Sequence, residues 1–204
     1  MPRAVRSALR VSYLSVAWGV LSGVAEVVVG AQTASLALAG VGATVLVDLL
    51  SSVVLVWRFR AELHAVLRGD EARSHELAEA RAQRVASTGL LVIGLVLVVG
   101  GLARVISGGG AHPDAVAVSL AAVSVPVLAG LAWWKYSAAR QAGSVALKTD
   151  AHISSLGAGT SALTLAGLAL TQAAGVHWGD PLAAAVVGVI AALEGWRGLR
   201  HSAL

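Results

Sequence analysis

Residues 34 to 57 read ASLALAGVGATVLVDLLSSVVLVW, a run of 24 residues whose one ionisable side chain is Asp48. Wound as an α-helix at about 1.5 Å per residue, the run is about 36 Å long. That crosses a hydrocarbon core of about 30 Å. The run has no short alternating segments of the kind that build a membrane β-barrel, so its backbone is satisfied within one helix. The polar residues Thr44, Asp48, Ser51 and Ser52 recur at i, i+4, i+7 and i+8, which places them on one face of a helix otherwise made of valine and leucine. Such a stripe predicts a span packed against other spans, with its polar face turned to the interior or to a wet cavity.

Working outward, five further runs share this character. The predicted spans are 9–31, 34–57, 85–106, 115–134, 150–173 and 180–196, all within a single transmembrane domain covering 1–204. The first run is too long for a cleaved signal and is followed almost at once by the second across Gln32-Thr33, so the two form an antiparallel hairpin. Composition agrees: 57% of residues are hydrophobic, 13% are charged, and the mean hydropathy is +0.78. An ordinary soluble domain carries about 25% charge. With no cysteine, a disulfide scaffold, a thiolate metal site and a cysteine nucleophile are excluded.

Charge placement predicts the topology. Fourteen of the 15 basic residues fall before or at the very start of the first span, after the second, after the fourth or after the sixth, and only Arg104 lies towards the opposite face. The positive-inside bias then puts both termini in the cytoplasm of a cell (plasma or inner) membrane. The sequence pI near 10.3 reflects this bias and contact with anionic headgroups; no nucleic-acid partner is expected. Trp57, Trp133, Trp134, Trp178 and Trp196 lie at span ends, as interfacial anchors do. Residues 58–84 mix both signs and read as short cytoplasmic surface helices with a break near Gly69-Asp70. Gly108-Gly109-Gly110 is read as an outer loop, and Pro126 as a kink in the fourth span. No soluble domain is expected after Leu204.

Ionisable groups within spans are costly in lipid, which makes each a functional candidate. Two acids lie deep, Glu26 and Asp48. Glu26 lies in a stripe of small and polar residues (Ser12, Ser15, Gly19, Ser22 and Gly30) and either bonds to hydroxyls of a neighbouring helix or serves a proton or cation path. The fifth span opens Lys148-Thr149-Asp150-Ala151-His152-Ile153-Ser154-Ser155. Asp150 and Ser154 share one face, and Asp150 and His152 offer oxygen and imidazole ligands to a divalent cation. Asp150 also suits the helix N-cap, as does Asp180 before Pro181. His64, His75 and His201 are read as solvated, and His112 and His177 as outer residues that form no metal box. Phosphate-binding, hydrolase, zinc-protease and dinucleotide motifs are all missing, so no enzyme and no permanently bound cofactor is expected.

Several segments, in order along the chain, resemble the cation diffusion facilitator family. They are Tyr13-Leu14-Ser15-Val16-Ala17-Trp18; Ser35 through Gly42 leading to Asp48; Ser51 through Arg60; and Ala80 through Val85. They continue with Gly143 through Ala151, Gly179 through Ala184, and Glu194-Gly195-Trp196-Arg197. The resemblance implies a six-helix bundle with both ends cytoplasmic, here without the C-terminal cytoplasmic domain that many members use to dimerise. It implies export of a divalent metal ion, often zinc, in exchange for protons, by a protein working as a homodimer in the lipid bilayer.

Members of that family carry paired ligands one turn apart on the second and fifth spans. The second-span pair falls here on Thr44 and Asp48, and an ungapped match on the fifth falls on Ile153 and Gly157, so the metal site is degenerate. Depth says the same: Asp48 lies nine residues before Trp57, roughly 13 Å deep. The equal depth on the fifth span is reached at Gly157, with His152 about 7 Å shallower. The expected metal residues are Asp48, Asp150 and His152, with Thr44, Ser154 and Glu26 as supporting ligands or proton relay. A site short of nitrogen ligands suits Mn²⁺, Mg²⁺ or Fe²⁺ at least as well as Zn²⁺. The expected function is a divalent cation efflux transporter using proton-coupled alternating access. The alternative is a membrane scaffold or accessory protein that keeps this fold with its metal site lost.

Overall fold

A computed structural model describes residues 2–68 and 76–201. Six helices follow one another: α1 Pro2–Gln32, α2 Leu36–Arg68, α3 Glu76–Ser107, α4 Ala115–Ala142, α5 Val145–Ala174 and α6 Gly179–His201. No strand occurs among the described residues. All six helices contain a stretch long and apolar enough to cross a membrane, and the chain is an all-α, multi-pass membrane protein. Large apolar side chains such as Leu21, Val96, Val99 and Ile106 point outward. The interior holds alanine, small polar residues and a few charges. This inside-out distribution is expected where lipid is the solvent, because oil gives no reason to hide leucine.

The segment after the second span departs from expectation. Residues 58–68 and 76–84 are not separate short helices. Instead, α2 runs unbroken to Arg68 and α3 begins at Glu76, so both helices continue past their apolar stretches, Leu36–Val54 and Arg84–Ser107. The break expected near Gly69-Asp70 lies outside the described residues. The Arg60 guanidinium sits 5.5 Å from the centre of the Tyr13 ring and ties the α2 extension to α1 by a cation–π contact. Pro126 lies inside α4 on its exposed side.

Helices pair where backbones can approach. The α3–α6 contact is the most extensive, followed by α1–α2 and α4–α5. At the α3–α6 crossing a Cβ on Gly94 would stand 2.4 Å from the Ala192 amide nitrogen, and one on Gly188 would stand 2.7 Å from the Gly94 carbonyl oxygen. Only hydrogen fits at either position, which is the use membrane bundles make of small residues at helix contacts.

The α1–α2 turn is held from two other helices. Ala34 adopts φ 54°, the left-handed conformation, while the Ser35 amide donates to Gly30 O at 2.8 Å. That closes α1 in a Schellman-type ending with alanine where glycine is usual. The Arg104 guanidinium donates to Ala34 O. Asp180 accepts from the Ser35 hydroxyl at 2.5 Å and from the Leu36 amide at 3.0 Å, while the Ser35 Oγ accepts from the Leu38 amide at 3.0 Å. Asp180 was expected to cap its own helix; its carboxylate instead completes the start of α2.

Candidate functional site

The polar stripe of α2 turns inward to meet α5. Ser154 Oγ donates to Asp48 Oδ2 at 3.5 Å, and Ser52 Oγ lies 3.3 Å from Asp150 Oδ1. Four residues forward on α2 therefore match four residues back on α5, the register of two antiparallel helices in contact. One turn further along, Thr44, Asp48, Ser154, Gly157, Thr160 and Glu194 line a cavity of about 50 Å³. Thr44 spends its hydroxyl hydrogen on Val41 O at 2.8 Å, which leaves the oxygen lone pairs available to a guest. The depth count put Gly157 level with Asp48; the residue that meets Asp48 is Ser154, three residues earlier, and Gly157 lines the cavity beside it.

A third helix completes the cluster with a residue that the sequence reading had placed in a loop. Lys135 belongs to α4 and is 0% exposed, and its Nζ stands 2.6 Å from Asp150 Oδ2, with Asp150 2% exposed. The same ammonium donates to Ser154 Oγ at 2.8 Å and to Ser52 Oγ at 3.3 Å. Ser52 Oγ also lies 3.3 Å from Ser15 Oγ of α1. Four helices thus supply one buried network of two carboxylates, one ammonium and three hydroxyls. Burying charges costs several kcal/mol per ion unless they are paired and hydrogen-bonded. Lys135 and Asp150 meet that condition. Asp48 does not: its Oδ1 is closed off from the surface with no hydrogen-bond partner among the described residues.

The other expected site residues fall as follows. Asp150 is not an N-cap, because α5 starts five residues earlier with Ser144 as its cap, accepting from the Leu147 amide at 3.3 Å. His152 is exposed and, two residues from each of the buried Asp150 and Ser154, points to the opposite side of α5. It is not brought to the cluster. Glu26 is fully buried elsewhere, accepting from Ser124 Oγ of α4 at 2.5 Å, and its Oε2 has no partner among the described residues. It is not a ligand beside Asp48. The side chain of Ser51 lies outside the described residues. Among the described residues no three His, Asp or Glu side chains converge on one point.

Lys135 was missed because the preceding Trp133-Trp134 marks a membrane interface and a lysine just beyond it reads as loop. Helical phase carries the correct signal. Leu128, Leu131, Ala132, Lys135, Ala138 and Ala139 occupy i, i+3, i+4, i+7, i+10 and i+11 and are all buried. Extending the apolar face of the fourth span by two turns would have put the ammonium inside.

A bundle of six spans with a charged cluster walled in by four of them defines a helical membrane protein with a polar, charged interior. Residues 12–204 match the family model described as the cation efflux transmembrane domain, and the chain belongs to this cation efflux family. It is a family of metal cation transporters and not of enzymes, so the metal ion is substrate here. Comparison with curated proteins finds no match.

Proposed function

We propose that this protein exports a divalent metal ion across a cell membrane in exchange for protons, by alternating access, with Asp48 as the principal ion-binding carboxylate and Asp150 as the second. Both termini would face the cytoplasm, and the working unit would be a homodimer. One observation carries the reading. Asp48 presents a carboxylate oxygen with no partner among the described residues beside a cavity large enough for more than one water. A carboxylate so placed needs a positive partner, and a metal ion can take it only in its deprotonated form, which links ion entry to proton exit. The ion's remaining donors are the oxygens of Thr44, Ser154 and Asp150. Oxygen donors without imidazole or thiolate suit Mn²⁺, Mg²⁺ or Fe²⁺ better than Zn²⁺. Neither His152 nor Glu26 takes part at this site in our reading.

In proteoliposomes containing a pH-sensitive dye, an inward gradient of Mn²⁺ should drive proton movement through the wild-type chain. Asp48→Asn should reduce it to the level of empty liposomes while leaving the helical circular-dichroism signal unchanged. Flux equal to wild type would remove Asp48 from the mechanism. A second reading rests on Lys135, whose ion pair with Asp150 is what a bundle that has given up transport would keep as a purely structural contact. On that reading the wild-type chain itself moves neither Mn²⁺, Zn²⁺ nor protons.

A further inference from the structure

Lys135 is a cation already present at the site. Its ammonium lies 2.6 Å from Asp150 Oδ2 and 2.8 Å from Ser154 Oγ, and Ser154 Oγ is in turn the group that reaches Asp48 at 3.5 Å. Asp150 and Ser154, two of the oxygen donors a metal ion would use, are therefore engaged by the ammonium, while Asp48 Oδ1 has no hydrogen-bond partner among the described residues and Asp48 lines the cavity. The ammonium offers three donors at the end of a flexible stem of four methylenes, a tether that turns about its own bonds.

We propose that Lys135 is a tethered counter-ion, which holds the ion seat when no metal is bound and which an entering divalent ion must displace. The inference rests on the reading of Asp48 and Asp150 as the ion-binding pair. Two consequences follow from charge alone. A tethered group competes at an effective concentration in the millimolar range or above, so the apparent affinity for metal is weaker than the bare oxygens would give. A monovalent ion offers the two carboxylates no more charge than the ammonium it would replace. A divalent ion doubles the charge at the same separation and doubles the Coulomb attraction. Lys135 is thus a specificity-determining residue that admits divalent and rejects monovalent cations. It also keeps Asp150 paired during the return of the empty carrier, when an uncompensated charge would be costly.

The test is Mn²⁺ binding to the purified protein in detergent micelles, measured by calorimetry at low and high NaCl. Lys135→Met, which keeps length and removes charge, should bind Mn²⁺ at least tenfold more tightly than wild type, and Na⁺ should compete with that binding more strongly than in wild type. Lys135→Gln serves if the methionine variant does not fold. Equal or weaker Mn²⁺ affinity in a folded variant, with wild-type binding intact, overturns the counter-ion role and leaves the transport reading standing. Binding gained by the variant where wild type shows none supports the counter-ion and removes wild-type transport. Binding by neither removes both. If neither variant folds, reductive methylation of the wild-type chain decides. Lys135 and Lys148 are its two lysines, and Lys148 is exposed. Mn²⁺ should speed methylation of Lys135 relative to Lys148, and an unchanged ratio overturns the proposal.

Discussion

Asp180 shows how much a single carboxylate can do away from the cluster around Lys135. It starts α6 in sequence, yet both of its oxygens serve the first turn of α2, one taking the Ser35 hydroxyl and the other the Leu36 amide. Ser35 is 1% exposed and Asp180 0%, so water cannot replace the bond between them, and the bond to the Leu36 amide is partly buried. Leaving a buried donor unpaired costs about 1–3 kcal/mol, and Asp180→Ala strands two. The alanine variant should lose about 3 kcal/mol of stability in unfolding by denaturing detergent, and Asp180→Asn, which keeps one acceptor, should lose less. Equal stability of all three proteins would show the contact to be ornamental. The Asp48 and Lys135 substitutions belong to the same scale, because each removes one charge from a cluster in which no member has more than three partners.

At the scale of helices, the molecule is assembled from close-packed pairs, and the tightness of each crossing is set by where side chains are missing. Gly94 on α3 faces Gly188 and Ala192 on α6 with no room for a methyl group. Gly94→Val must separate the two helices and should cost about 2 kcal/mol, as overpacked interiors do. Gly130 on α4 has nothing within 4 Å of where a Cβ would stand, so Gly130→Ala should change stability by less than about 0.5 kcal/mol. Thermal unfolding of the two variants in one detergent is the comparison; similar melting temperatures would mean that α3 and α6 are not held at this crossing. The α2–α5 contact works differently. It is made of hydroxyls and carboxylates, and these bonds fix the two helices in the register that faces Asp48 to Ser154 and Ser52 to Asp150.

For the whole molecule, the chain's lack of cysteine makes orientation directly measurable. Ser107 ends α3, and Gln141 lies one residue before the end of α4; both are exposed. They belong to opposite ends of the bundle, because α3 and α4 are successive crossings. With cytoplasmic termini, Ser107→Cys should react with an impermeant maleimide added to intact cells, and Gln141→Cys should react only after permeabilisation. The reverse pattern would invert the proposed topology and with it the direction of export. The asymmetry of the arginines predicts the first outcome.

The six spans, the all-helical class and the family resemblance could be read directly from the chain, because lipid imposes its rule on each segment separately. About 20 apolar residues must close their own hydrogen bonds, and no distant part of the chain alters that requirement. Asp48 was legible for the same reason, as a carboxylate in oil is conspicuous wherever its partners are. Its partners were not. Whether Asp150 caps a helix or meets an ammonium, whether Asp180 serves α6 or α2, and whether Lys135 is loop or core all depend on how four helices are rotated and slid against one another. Those rotations are decided by pairwise packing between residues about 20 to 145 positions apart, and no local pattern records them. The sequence by itself determined that the chain crosses the membrane six times around a few polar groups. Only the tertiary structure decided which of those groups meet, because a charge buried in a bundle is placed by the partners that compensate it.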